Sequence, residues 1–148
     1  MKKKIVSIIG TRPEIIKMYP LILNLDKMSD HIIIFSGQHF SKNMASEIFD
    51  NLNLRRADIN IKIKDRNNFF FEFSKKLIDI LKKIKPDFIL YHGDTLTTLA
   101  SSLVSHNFFS EVNNVHIESG YRAKVYNSIE EKIRKVADKY SKINFAIR

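Results

Sequence analysis

Residues 4–14 have the sequence KIVSIIGTRPE. The apolar run that opens this stretch predicts a short buried strand, which Gly10 ends. Pro13 suits the first turn of a helix, where its missing N–H would have no partner in any case, and Glu14 suits the positive end of the helix dipole. A helix with a broad apolar face is therefore expected as far as about Met28. This strand–turn–helix unit indicates an α/β fold.

The same alternation continues along the rest of the chain. Further strands are predicted at residues 32–35, 57–63, 88–91, 114–117 and 143–147. Helices are predicted between them at residues 44–52, 70–84, 95–107 and 128–141. The strand at 57–63 alternates apolar with polar residues, so we expect it near a sheet edge. Strands that alternate with helices predict a Rossmann-like, doubly wound parallel sheet with helices on both faces.

Length and composition fit one ordinary globular domain. The chain has 148 residues, 44% of them hydrophobic and 28% charged, and no cysteine. Disulfides and thiolate chemistry are therefore excluded, and a cytoplasmic location is permitted. The amino terminus lacks the long apolar stretch of a signal peptide, and no apolar run approaches the length of a membrane span. We therefore expect a cytoplasmic protein that is not embedded in a membrane.

The net charge of +9 raises the question of a nucleic-acid partner. The lysines, however, are spread over the predicted helices at 70–84 and 128–141. That distribution is typical of solvated helix faces, whereas a nucleic-acid groove would combine basic residues with stacking aromatic rings. No nucleic-acid partner is expected.

Unusual polar residues follow four of the predicted strands. They are Arg12 after the first strand, Gln38 and His39 after the second, Asp94 after the fourth, and Glu118 and Arg122 after the fifth. Ligands of open parallel sheets bind outside the carboxyl ends of the strands. We therefore expect these side chains to meet at one rim of the sheet.

Arg12 and Lys17 lie at the start of the first helix, where free N–H groups favour an anion. They could bind a common anion or form a solvated pair, and spacing alone does not decide between these. The Gly-x-Gly-x-x-Gly pattern of NAD-binding proteins is absent. Asp94 or Thr95 could cap the next helix, a role compatible with function.

Other polar residues also have structural explanations. Glu118 at the tip of a buried strand needs a partner, and Arg122 could supply it. Glu130 and Arg134 are four residues apart on one helix face, as in an ordinary surface ion pair. The histidines within strands are expected to be core residues with satisfied hydrogen bonds, and no spacing indicates a metal site. These histidines are His92 and His116.

Taken together, the motifs resemble the non-hydrolysing UDP-N-acetylglucosamine 2-epimerases. The matching segments, in the family's order and at similar spacing, are Gly10–Glu14 with Ile16–Met18, Gly37–His39, Asp58–Ile61, Lys85–Asp87, His92–Thr98, His116–Arg122, and Glu130 and Glu131 with Arg134. The resemblance covers the whole chain. It implies a two-domain fold of the glycosyltransferase-B type, of which this chain is the amino-terminal half.

The resemblance also implies a reaction. Family members interconvert UDP-GlcNAc and UDP-ManNAc by eliminating UDP to a 2-acetamidoglucal and adding it back with the opposite configuration at C2. No metal or nicotinamide cofactor is required. The implied acid/base carboxylates are Asp94, Glu118 and Glu130, with Arg134 holding them. The implied substrate-binding residues are Arg12 and Lys17, which would contact UDP, with Gln38, His39 and Arg122.

The chain departs from the family pattern in three places. The 148 residues do not include the family's carboxyl-terminal half, which by this resemblance is expected to supply most of the UDP site. Residues 64–68 replace the family's Pro-Gly-Gln, and the loop that precedes Glu130 is short, with Ile129 in place of a proline.

Three hypotheses follow: a truncated or split epimerase that needs a complementary half, a non-catalytic module for dimerisation or binding, or half of a glycosyltransferase. The family resemblance further implies a homodimer.

Overall fold

The computed structural model describes residues 2–38, 42–122 and 128–146. The strands are β1 (Lys4–Ile9), β2 (Asp30–Phe35), β3 (Ile59–Asn60), β4 (Phe88–His92), β5 (Asn113–Ser119) and β6 (Ile143–Ala146). The helices are α1 (Arg12–Met28), α2 (Lys42–Asn51), α3 (Phe69–Ile84), α4 (Leu96–Phe108) and α5 (Ile129–Tyr140), and a single 3₁₀ turn at Arg66–Asn68 precedes α3.

The six strands form one sheet in the order β3-β2-β1-β4-β5-β6, and every neighbouring pair is parallel. This is the strand order of doubly wound nucleotide-binding folds, and the order reverses between β1 and β4. The predicted fold class is therefore confirmed. The position of β3 at the sheet edge is confirmed as well.

Two apolar layers cover the two faces of the sheet. On one face α3, α4 and α5 pack through residues such as Phe73, Leu77 and Val104. On the other, α1 and α2 pack through residues such as Ile15 and Met18. Adjacent residues of a strand point to opposite faces, so both helical layers anchor to the same strands. Because all strands are parallel, they all end at the same rim of the sheet, and the helices that follow them begin there. This rim is called the carboxyl rim below.

The edge strand β3 is shorter than the predicted 57–63. The carboxylate of Asp58 accepts a hydrogen bond from the backbone N–H of Ile33 at 2.7 Å. A side chain thus occupies the place that a backbone carbonyl of a longer strand would take. Pairing is limited to Ile59 and Asn60.

Gly10 in the β1–α1 turn lies close to Thr97 of α4. A Cβ built there would lie 2.2 Å from Thr97 Oγ1 and 2.7 Å from Ser36 Oγ, two side chains that are hydrogen-bonded to each other. We expect Gly10→Ala to lower the free energy of unfolding by about 1–3 kcal/mol through overpacking. Urea denaturation measures this, and a loss below about 0.5 kcal/mol would show that the turn can move away.

None of the helices in the described part of the chain combines the length and the apolar character that a membrane span requires.

Candidate active site

The side chain of Glu118 is the centre of an ion-pair network at the carboxyl rim. Its Oε2 lies 2.6 Å from Lys17 Nζ on α1 and 2.8 Å from His92 Nε2 at the end of β4. Oε1 accepts a second hydrogen bond from Lys17 at 2.9 Å. The structure thus brings together two residues that lie 101 positions apart in the chain. Arg122, the partner suggested by sequence, lies elsewhere.

Glu118 has a backbone conformation that side chains rarely adopt. Its φ is +66°, in the left-handed region, and the pairing of β5 with β6 shifts register at this residue. Such a conformation persists only where the surrounding structure holds it. In this conformation the carboxylate points out of the strand, towards Lys17 and His92. The sequence, which predicts the strand to end at residue 117, gives no sign of this irregularity.

His92 contacts Glu118 as a neutral ring. Burial lowers the pKa of His92 to about 4, against the opposing effect of the Glu118 charge. A neutral imidazole has one N–H, and the Nε2–H form donates it to Glu118. Its other ring nitrogen, Nδ1, is buried and has no hydrogen-bond partner in the described part of the chain. His92 is therefore only partly the satisfied core histidine that its sequence position predicts.

Asp94 lies next to this network and is bound by a different cation. It follows β4 directly, and its carboxylate accepts a hydrogen bond from the Arg134 guanidinium on α5. Arg134 is buried, donates also to Glu131 at 3.2 Å, and stacks on the Tyr121 ring at 4.9 Å from the centroid. Thr95 caps α4, accepting from the Thr98 N–H, so Asp94 is not needed as the cap.

Glu130 differs from the spacing-based expectation. Arg134 bonds to Asp94 and to the buried Glu131, not to Glu130 four residues before it. A residue three positions away shares the helix face as well as one four away, and Glu131 lies on the side of α5 that packs inward. Glu130 is exposed in the first turn of α5, one turn from the Arg134 that contacts Asp94. Asp94 and Glu118 thus lie at the ends of adjacent strands, and Glu130 lies at the start of the helix that follows β5.

The remaining predicted binding residues occupy different positions. Arg12 is exposed at the first turn of α1. The side-chain oxygen of Gln38 accepts hydrogen bonds from the Thr97 N–H at 2.9 Å and the Thr97 hydroxyl at 2.8 Å. Arg122 lies 2.8 Å from Asp138 and 3.7 Å from Glu131. His39 lies outside the described residues.

Glu14 is a buried carboxyl at this rim for which sequence reasoning gave only a helix-dipole role. Its Oε2 accepts from the N–H groups of Gly10 at 2.5 Å and Thr11 at 3.0 Å, and its Oε1 accepts from the Thr95 hydroxyl at 2.7 Å. Glu14 thus ties the β1–α1 turn to the start of α4, beside Asp94. Burial raises the pKa of Glu14 to about 7; the three hydrogen bonds oppose that increase, and the Asp94 charge adds to it.

This raised pKa predicts a pH-dependent stability. An unfolded chain releases the Glu14 proton near pH 4.5, whereas the folded chain holds it up to about pH 7. Between these values the folded state binds more protons, so the free energy of unfolding falls as the pH rises, by on the order of 2–3 kcal/mol. We expect Glu14→Gln to gain that amount over the wild type at pH 8 compared with pH 5, in urea denaturation at both values. An equal difference at the two pH values would contradict the account.

The geometry suits acid/base chemistry beside an anion. No group of three His, Asp or Glu side chains within residues 2–38, 42–122 and 128–146 is arranged to bind a metal. The rim instead presents carboxylates held by Lys17 and Arg134, with Arg12 exposed at a helix amino terminus. Paired carboxylates can move protons, and the cations can bind a negatively charged leaving group.

Comparison with known proteins agrees with this description. The family model described as UDP-N-acetylglucosamine 2-epimerase matches residues 23–148. The chain is 39% identical to the UDP-N-acetylglucosamine 2-epimerase of Methanocaldococcus jannaschii over 147 residues, and 38% identical to that of Methanococcus maripaludis over 149 residues. Each match covers 97% of this chain but 39% of the relative.

A solved structure gives the same picture. The crystal structure of the Methanocaldococcus jannaschii UDP-GlcNAc 2-epimerase in complex with UDP-GlcNAc and UDP superposes with a TM-score of 0.87 at 36% identity. The match covers 97% of this chain and 40% of that one. The chain therefore spans about two fifths of the length of the relatives that it matches.

Proposed function

Because this chain belongs to the UDP-N-acetylglucosamine 2-epimerase family, we propose that it supplies the carboxylate-bearing half of an enzyme that interconverts UDP-GlcNAc and UDP-ManNAc. One observation carries the proposal. The carboxylates of Asp94 and Glu118 lie at the ends of the adjacent strands β4 and β5, each against a cation supplied by a helix.

The proposed reaction divides the work between these two kinds of group. A carboxylate removes the proton from C2 of the sugar, the C1–O bond breaks, and UDP leaves with the electron pair, giving a 2-acetamidoglucal. A proton then returns to the other face of C2 while UDP adds back to C1. Asp94, Glu118 and Glu130 are the candidate proton carriers on the two faces. Positioned acids and bases of this kind contribute about 10²–10⁴-fold to a rate.

Lys17 and Arg12 are the proposed contacts of the UDP leaving group. Lys17 pairs with Glu118 at 2.6 Å. A pyrophosphate at the start of α1 would compete for the same ammonium, assisted by the free N–H groups of the helix terminus. When Lys17 turns to the ligand, Glu118 keeps the neutral His92 as a partner and its carboxylate is free to take a proton from the substrate. Substrate binding and base activation are then one event.

We propose further that a second α/β half covers the carboxyl rim. Exposed apolar side chains occur in the elements that begin or end at that rim, and they are Ile16, Leu96, Tyr121, Ile129 and Phe145. Exposed apolar side chains grouped next to polar residues are typical of an interaction site. A complementary carboxyl-terminal half fits this surface. The homodimer and the cytoplasmic location stay predictions.

The test is complementation. The chain is mixed with the part of the Methanocaldococcus jannaschii relative that lies beyond the matched region, UDP-GlcNAc is added, and UDP-ManNAc is measured by NMR. We expect product with the wild type and with Asp79→Asn, an exposed position on α3, but none with Asp94→Asn. No product in any mixture, with both parts folded and associated, would refute the proposal. Transfer of the sugar to an acceptor would favour a glycosyltransferase.

A further inference from the structure

The carboxylate of Asp138 on α5 gathers three donors from the segment that carries Glu118. Its Oδ1 lies 2.7 Å from His116 Nδ1 and its Oδ2 lies 2.8 Å from the Arg122 guanidinium. The backbone N–H of Gly120 also donates to it, at 3.2 Å. Asp138 belongs to none of the motifs that indicated the family, and the mechanism above does not use it.

Through His116 the influence of Asp138 extends to Asp94. His116 is fully buried, and its second ring nitrogen, Nε2, lies 2.7 Å from the carbonyl oxygen of Gly93. The carboxylate and the carbonyl oxygen are both acceptors, so the ring that bridges them donates a hydrogen bond from each nitrogen. The Gly93 N–H donates in turn to the Ile117 carbonyl at 3.0 Å. The turn that presents Asp94 is therefore fixed to β5 through both backbone groups of Gly93, and Asp138 orients the His116 ring that contacts one of them.

Asp138 also contacts residues on both sides of Glu118, the residue with the left-handed backbone. His116 lies two residues before Glu118 and Gly120 two residues after it, and the same carboxylate contacts both. A left-handed glutamate is retained only where its neighbours hold it in place. Asp138 supplies that constraint from a different element of the fold.

We propose that Asp138 is a positioning residue for the proposed epimerase reaction. It holds Glu118 in place through the neighbouring residues His116 and Gly120, and it holds Asp94 in place through His116 and Gly93. The inference rests on the proposed function. It requires a carboxylate, because three donors converge on this side chain and an asparagine offers one acceptor oxygen and a donating NH₂ group. Asp138→Asn, although similar in size, turns a donor towards a donor.

The first test uses the chain itself. In ¹H–¹⁵N NMR spectra of folded Asp138→Asn, we expect the amide signals of Gly93, Asp94 and Gly120 to shift, and the Gly120 amide to exchange with solvent at least about tenfold faster. Asp79→Asn, the matched change on an exposed helix position, should leave them unchanged. Wild-type signals in Asp138→Asn would overturn the inference.

The second test measures turnover in the complemented mixture. We expect kcat of Asp138→Asn to fall at least about tenfold with KM for UDP-GlcNAc within about threefold, because misplaced groups slow chemistry more than binding. If that variant does not fold, Asp138→Glu, which keeps the charge but displaces it, should show the same split. A normal kcat with displaced amides, or a loss that follows the folded fraction alone, refutes positioning. Lack of turnover in the wild type refutes the proposed function instead.

Discussion

Replacing Arg134 with alanine is expected to lower the free energy of unfolding by about 3–5 kcal/mol, the cost of leaving a buried charge without its partner. Arg134 is 5% exposed and bonds to Asp94 and to Glu131, which is 2% exposed. Without the guanidinium the buried Glu131 carboxylate keeps only the more distant cations of Lys135 and Arg122, at 3.6 and 3.7 Å. Urea denaturation monitored by circular dichroism measures the change.

The same helix provides the control. Lys135 also pairs with Glu131, at 3.6 Å, but its side chain is half exposed. Its ammonium is solvated and lies farther from Glu131 than the Arg134 guanidinium does, so Lys135→Ala should lower stability by only about 0–1 kcal/mol. Equal losses in Lys135→Ala and Arg134→Ala would show that Glu131 is paired by the cluster as a whole and not by Arg134.

Glu118→Gln is expected to move catalysis and ligand binding in opposite directions. In the complemented mixture turnover should fall at least about 100-fold, because a proton carrier is lost. In the chain itself UDP should bind about fivefold more tightly, the equivalent of roughly 1 kcal/mol, because Lys17 is released from its ion pair and a negative charge leaves the anion site. NMR titration with UDP measures the affinity.

Glu111→Gln is the matched control for this experiment. It removes the same charge at an exposed position before β5, at the end of that strand opposite to Glu118. Its affinity for UDP should equal that of the wild type within about twofold, since the charge is remote and screened. Weaker binding of UDP by Glu118→Gln would contradict the proposed competition between Glu118 and UDP for Lys17.

The layout of the fold was predictable from sequence because each element has a local signal. The apolar run before Gly10 and the proline after it define β1 and the start of α1, and both lie where expected. The β3 strand was predicted too long, because the role of Asp58 as a side-chain substitute for a backbone acceptor depends on the position of β2. Contacts of that kind have no periodicity in the sequence.

The site was predictable as a place but not as a set of partners. The carboxyl ends of parallel strands meet by topology, so Asp94 and Glu118 could be brought to one rim. Arg134 pairs with Glu131 and not with Glu130 because Glu131 lies on the buried face of α5. The contacts of Asp138 with β5 link residues that are ordinary in sequence, and only the tertiary packing brings them together.

Hydrogen exchange at C2 tests the central claim most directly. The complemented mixture is incubated with UDP-GlcNAc in D₂O, and the C2 proton signal of the substrate and product is followed by NMR. The account predicts deuterium at C2 of both sugars with the wild-type chain and none with Glu118→Gln or Asp94→Asn. Epimerisation that retains the original C2 proton, or full exchange in both variants, would contradict it.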